Sequence, residues 1–290
     1  MKIIKHKSVF LSISVLLVIA SIASIVFFGF KLGTDFSGGV AWQIRFETAP
    51  AVEKLAPLLP SDAVITPQSE GNILIRMKEL SEVDRKADLA KFVKAFGPAE
   101  ELQFQSIGPV VGQDLKQKAV WAFVLVLVAI SLYVAFTFRK VSRPVSSWKY
   151  GFITLATLFH DAVIPAGMIA VLGHFFTAEV DTNFIVAILV VIGFSVHDKI
   201  VVFDRIRENL RMTRVDKADF SALVNTSVNQ TIARSINTSF TLILTLVAML
   251  ALGPATLHYF ILTILVGTVV GTYSSIFVAS PLLTFFKGKA

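Results

Sequence analysis

Residues 184–203 read FIVAILVVIGFSVHDKIVVF, from Phe184 to Phe203. A spanning helix needs about 20 predominantly apolar residues, and this run has that length. It nevertheless carries His197, Asp198 and Lys199 in its second half. An ionisable group at the centre of such a helix costs about 2.5–3.5 kcal/mol on insertion scales, so groups kept there are candidates for function.

Five further apolar segments flank this one: Ser8–Phe30, Ala119–Phe138, Tyr150–Leu172, Val228–Leu252 and Leu257–Phe286. Each is near or above spanning length. The first continues past 20 apolar residues with no small-residue cleavage site after it, so a retained anchor is expected. Of the 290 residues 54% are hydrophobic and 16% charged, against about 25% charged in soluble proteins. That balance excludes an ordinary soluble enzyme. With no cysteine, disulfides, zinc-thiolate sites and iron-sulfur clusters are excluded as well.

The charge is unevenly placed. Residues 31–118 hold 11 Lys/Arg and 12 Asp/Glu, so the net +7 arises elsewhere. It arises from Lys2, Lys5 and Lys7, from Arg139, Lys140, Arg143 and Lys149, from Arg205, Arg207, Arg211, Arg214 and Lys217, and from Lys287 and Lys289. The loops His174–Asn183 and Gly253–Thr256 contain no Lys or Arg. Because cytoplasmic loops retain positive charge, both termini are expected in the cytoplasm and residues 31–118 outside. The excess therefore reports orientation, and no nucleic-acid partner is expected.

Within residues 31–118, strand-like alternation at Val40–Phe46, Ala63–Gln68, Asn72–Lys78 and Glu101–Ile107 is interleaved with helix-like runs at Ala49–Leu59 and Glu82–Phe96. Glu70-Gly71 joins the middle strands. The order βαββαβ predicts a ferredoxin-like α+β domain. It contains no serine-histidine pair, metal cluster or phosphate loop, so a binding or mechanical role is expected. The divisions are then 1–30, an N-terminal spanning helix; 31–118, the external domain; and 119–290, five spanning helices with a cytoplasmic loop at 204–227.

Besides Asp198 the candidate intramembrane groups are His160 and Asp161 in the third span, His197 and Lys199 in the fourth and Arg234 in the fifth. Arg234, Thr238, Thr241 and Thr245 recur at i, i+4, i+7 and i+11, one polar stripe, which must face protein or water. Asp161 and Asp198 are its expected partners across helix interfaces. A static pair holding helices together is one possibility, and coupled ion transfer the other. Keeping an ordinary carboxyl neutral at pH 7 costs about 4 kcal/mol, comparable with inserting it charged, so an acid here can exist in either state. One charge crossing 100 mV releases about 2.3 kcal/mol, enough to drive a cycle. Two His-Asp pairs could in principle hold a transition metal, but adjacent side chains on a helix point about 100° apart and converge poorly. No G-x-x-x-x-G-K-[ST] loop is present, so an ion gradient or a partner is the expected source of energy. No metal, cofactor or enzymatic activity is expected.

Gly267 and Gly271 form a small-xxx-small pattern suited to close helix approach. Pro165 and Pro281 can loosen their helices. Asp204-Arg205-Ile206-Arg207-Glu208-Asn209 has the pairing of a solvated helix end, with contact to another subunit as the alternative.

Several runs together resemble the SecD/SecF family, protein-export membrane subunits that are half-sized relatives of the RND transporters. They are Gly33-Thr34-Asp35-Phe36-Ser37-Gly38-Gly39, Ile107-Gly108-Pro109-Val110-Val111-Gly112, Gly193 through Asp198 with Ile200 through Asn209, Asn229-Gln230-Thr231 with Arg234 through Ser239, and Gly271 through Phe277. They span nearly the whole chain in the family's order. The resemblance implies a polytopic, six-helix, RND-like half in the bacterial inner membrane, paired with SecD. It implies use of the proton-motive force to draw unfolded preproteins from the SecYEG channel, with YajC and YidC as accessory partners and membrane lipid as surroundings. Asp198 and Arg234 match the pair the family uses for proton passage, and Asp161 matches a third-span acid. His160, His197 and Thr238 are supporting polar positions, and Asp35, Gly38, Gly39, Gly108, Pro109, Gly112, Asp204 and Arg205 are motif positions. The sequence departs from the family at Lys199, where a small hydroxyl residue is usual. Two placements are open to it: beside Asp198, or turned to the interface on its long stem. An RND-type efflux half-transporter is the alternative function, disfavoured by an external domain of about 88 residues; a scaffold stabilising the translocon is another.

Overall fold

The computed structural model describes residues 2–68, 71–139, 145–212 and 220–285. Glu70 of the expected Glu70-Gly71 turn, and Lys140, Arg143, Arg214, Lys217, Lys287 and Lys289 of the charge count, lie outside them. The chain divides into two compact units, Met1–Lys31 with Trp121–Ala290, and Leu32–Val120.

In chain order the α-helices and strands from the N-terminal side are α1 (Lys7–Phe28), α2 (Thr34–Ser37), β1 (Gly39–Phe46), α3 (Val52–Leu55), β2 (Val64–Pro67), β3 (Asn72–Met77), α4 (Glu82–Phe96), β4 (Ala99–Ile107) and α5 (Pro109–Thr137), of which α2 to β4 and the start of α5 belong to the smaller unit. The four strands form one sheet in the order β2-β3-β1-β4, every neighbour antiparallel. This is the ferredoxin-like arrangement expected from the alternation. Trp42, Ile44 and Phe46 of β1, Ile73 and Ile75 of β3, Leu55 and Phe92 make the core. Ser81 caps α4 by accepting from the Asp84 amide at 3.1 Å. The helix expected over Ala49–Leu59 is only one turn of α3 followed by a 3₁₀ turn, Ala56–Leu58. Pro57 has no N–H to continue the α-helical ladder, and Pro60 closes the segment.

The larger unit contains α1 and the rest of α5, then α6 (Ser147–Phe175), α7 (Thr182–Met212), α8 (Phe220–Leu252), α9 (His258–Ser274) and α10 (Ser280–Phe285). A π-helical segment, Ser275–Ala279, joins the last two. Six helices have the length and composition to cross a membrane: Ile4–Phe28, Pro109–Thr137, Ser147–Phe175, Thr182–Met212, Phe220–Leu252 and Ala255–Phe285. The expected 204–227 loop is corrected: α7 runs on to Met212 and α8 has begun by Phe220. Charged residues end a hydropathy run, but they do not interrupt helical hydrogen bonds.

Small residues bring the helices together. A Cβ on Gly167 would meet Ser21 Cα at 2.5 Å, so α6 touches α1 backbone to backbone. The expected Gly267 and Gly271 pattern is used against α7, where Val191 and Ser195 occupy the space a side chain would take. Pro281 explains the π segment, since it withdraws an N–H and its ring crowds the preceding turn. Ser280 Oγ instead donates to the Ser275 carbonyl at 3.0 Å.

Candidate functional site: a buried charge cluster and an outward stripe

Asp161 lies at the meeting of α6, α7 and α9, with no exposed surface. Lys199 Nζ donates to its Oδ2 at 2.5 Å, Ser274 Oγ donates to the same oxygen at 2.8 Å, and Ser195 Oγ donates to it as well. His160 Nδ1 stands 2.8 Å from Oδ1. Lys199 is also fully buried and reaches Ser195 Oγ. The helical spacing explains the set: Ser195 and Lys199 are i and i+4 on α7 and face α6 together. Gly271 admits α9 close enough for Ser274, three residues on, to join them. Pro165, four residues after Asp161, leaves that residue's backbone carbonyl without its usual helical donor.

The expected partnership of Asp161 with Arg234 is therefore corrected. Asp161 takes Lys199, and Lys199 neither turns to the interface nor remains a spare cation. It is the internal counter-ion of the third-span acid. Neither placement open to Lys199 from the sequence, beside Asp198 or turned to the interface, is the one it takes, since Lys199 and Asp198 point about 100° apart. The i, i+4 relation to Ser195 was the signal that separated them.

Asp198 faces a different way. It is 2% exposed, within interaction range of Ser239 on α8, and its Oδ2 has no hydrogen-bond partner. Ser239 Oγ and Thr272 Oγ1 lie 2.6 Å apart, linking α8 to α9 beside it. His160 Nε2, Ser235 Oγ and Thr268 Oγ1 are further buried polar atoms without a partner.

Arg234 and Thr238 are exposed on the outer face of α8, and His197 on that of α7. Thr238, Thr241 and Thr245 bond back to carbonyls of their own helix, at 2.9, 2.8 and 3.1 Å. Among the described residues Arg234 pairs with no carboxylate, so the expected Asp198–Arg234 contact is absent from this arrangement. The stripe is real, but it is turned away from the bundle.

The motif residues fall into two structural knots. Arg205 Nε donates to Gln230 Oε1 at 2.7 Å and Asn209 Nδ2 to Ser227 Oγ at 2.8 Å, clamping α7 to α8. Arg205–Glu208 and Asp204–Arg207 pairs run along α7. In the smaller unit, Gly38 (φ +73) sits where a Cβ would meet Pro109 Cα at 2.8 Å, and Gly39 (φ +117) where it would meet the Met77 carbonyl at 2.8 Å. A Cβ on Gly112 would meet the Gly38 nitrogen at 3.0 Å. Asp35 accepts from Gln105 Nε2 at 3.0 Å. Two motifs about 70 residues apart in sequence thus form one junction, at which a Cβ on Gly108 would meet open space while its carbonyl accepts from the Gly112 amide at 3.0 Å.

Residues 88–289 match the family described as "Protein export membrane protein SecD/SecF, C-terminal". The chain is 40% identical, over 99% of its length and 94% of the relative's, to "Protein translocase subunit SecF" of Thermobaculum terrenum. It is 36% identical to "Protein translocase subunit SecDF" of Thermus thermophilus, over 97% of this chain and 38% of that longer protein. The crystal structure of a Thermus SecDF, described as a translocon-associated membrane protein, superposes with a TM-score of 0.84 at 34% identity, over 99% of this chain and 38% of that one.

Proposed function

This chain belongs to the SecD/SecF family of protein-export membrane proteins, and from that premise we propose that it works with a SecD-type half to couple proton flow to late steps of preprotein translocation. The Thermus relative, whose name joins both halves, supports the partnership. The protein sits in the bacterial inner membrane with both termini in the cytoplasm. Its further partners are the SecYEG channel and the accessory YajC and YidC proteins, and it acts mechanically, without covalent chemistry of its own.

The observation that carries the coupling is Asp198: a carboxyl 2% exposed inside a spanning helix, with one oxygen that no donor reaches. Such an oxygen is open to a proton. The Arg205–Gln230 and Asn209–Ser227 bonds set the antiparallel register of α7 and α8, and that register puts Arg234 about one helical turn from the level of Asp198. A long side chain spans that interval. In the cycle, Arg234 turns to ionised Asp198; protonation releases it to the partner half, the helices shift, and residues 31–118 move with them. An unpaired arginine on a membrane face needs protein or water against it, and the outward placement of Arg234 fits the released limb.

The test is Asp198→Asn in the assembled complex. Export under an imposed proton gradient falls to the level seen without a gradient, while the SecD-type half still copurifies; gradient-dependent export at the normal rate would sink the coupling. Repeating the assay with a sodium gradient identifies the ion.

A further inference from the structure

Lys2, Lys5 and Lys7 line one cavity of about 370 Å³ together with Ile4, Ser221, Ala222 and Asn225. Its size falls within the roughly 300–1,000 Å³ of small-molecule sites. The N-terminal segment is fixed on α8 there, because the Ile4 amide donates to Asn225 Oδ1 at 3.3 Å. Lys7 Nζ donates to Thr284 Oγ1 at 3.1 Å and stands 4.0 Å over the Phe285 ring. Among the described residues no carboxylate pairs with any of the three lysines. Three lysines contribute to the wall of one concavity, and their summed positive charge attracts an anion. Lys7 is also the first residue of the apolar helix α1, whose Val9, Ile13 and Leu16 are exposed.

We propose that this cavity is a binding site for a phosphate anion, presented by the headgroup of an anionic phospholipid whose acyl chains lie along α1. Lysine recognises phosphate as a point charge, and basic pockets between helices at a membrane surface hold such headgroups. Orientation requires only that the lysines be positive. A site requires, in addition, that the cavity be open.

The complex with its SecD-type half, in nanodiscs mixing phosphatidylglycerol and phosphatidylcholine, is analysed by native mass spectrometry for retained lipid. Preferential retention of phosphatidylglycerol is expected, falling about fivefold for each of Lys2→Gln and Lys5→Gln. Ala222→Leu, which narrows the cavity and leaves every charge in place, should lower it too. Inorganic phosphate titrated into discs of phosphatidylcholine alone separates the sources: saturable binding lost in the same variants assigns the site to soluble phosphate. Retention unchanged in all variants, or lost with the lysines but not with Ala222→Leu, overturns the site and leaves only a diffuse surface attraction.

Discussion

Around Asp161 four side chains from three helices converge on one carboxylate, and its cation is enclosed with it. Along the outer face of α8 the threonines bond only to their own backbone, and Arg234 stands without a carboxylate. The two regions belong to the same bundle, but they are finished to different degrees. Of the apolar window of α6, 61% is buried in this chain, against 17% for α8. The first region is satisfied within one chain, whereas the second leaves a polar stripe exposed, which under the proposed function is where the SecD-type half would sit. Charge inside the spanning helices therefore takes two forms here, an enclosed and paired one at Asp161 and an exposed one at Arg234.

The sharpest attempt to break this contrast is Lys199→Met. It leaves Asp161 buried without its counter-ion, and removing one member of a buried pair costs about 3–5 kcal/mol. Thermal unfolding in detergent should show it, and adding Asp161→Asn should recover most of the loss. A smaller effect is expected from Gly271→Ala, whose Cβ would meet Ser195 Cβ and Oγ at 3.1 Å. Forcing extra volume into a packed contact costs about 1–3 kcal/mol, with α9 pushed off α7; a neutral result would mean that the Ser195 and Ser274 contacts do not depend on close approach. The smallest stability change belongs to Arg234→Gln, within about 0.5 kcal/mol for the chain alone, as for an exposed site. The same substitution should nonetheless weaken copurification of the SecD-type half or abolish gradient-driven export. If it unfolds the isolated chain instead, the stripe is not an interface.

Much of the architecture could be read from residue order. Six apolar runs correspond to six helices, and period-two alternation in Val40–Phe46 and Asn72–Lys78 corresponds to the central strands of an antiparallel sheet. What could not be read was which charge meets which. Asp161, Asp198, Lys199 and Arg234 were all visible as intramembrane groups, but pairing is set by the rotation of each helix about its axis, and flanking apolar residues leave that rotation open. Only the Ser195 and Lys199 spacing carried the information, and it was overshadowed by the adjacency of Lys199 to Asp198. Residues 49–59 failed for a local reason, with Pro57 and Pro60 outweighing a helical pattern.

The junction of Gly38 with Pro109 and Gly112 has an evolutionary consequence. An inserted domain whose first and last segments are fastened to each other keeps its own base closed, whatever happens beyond it. Strands and loops between those points can lengthen, shrink or change their surface without altering the spacing at which the flanking helices leave the knot. Selection on what the domain touches is thereby separated from selection on how the bundle packs, and Gly38 and Gly112 are the positions where that separation is held.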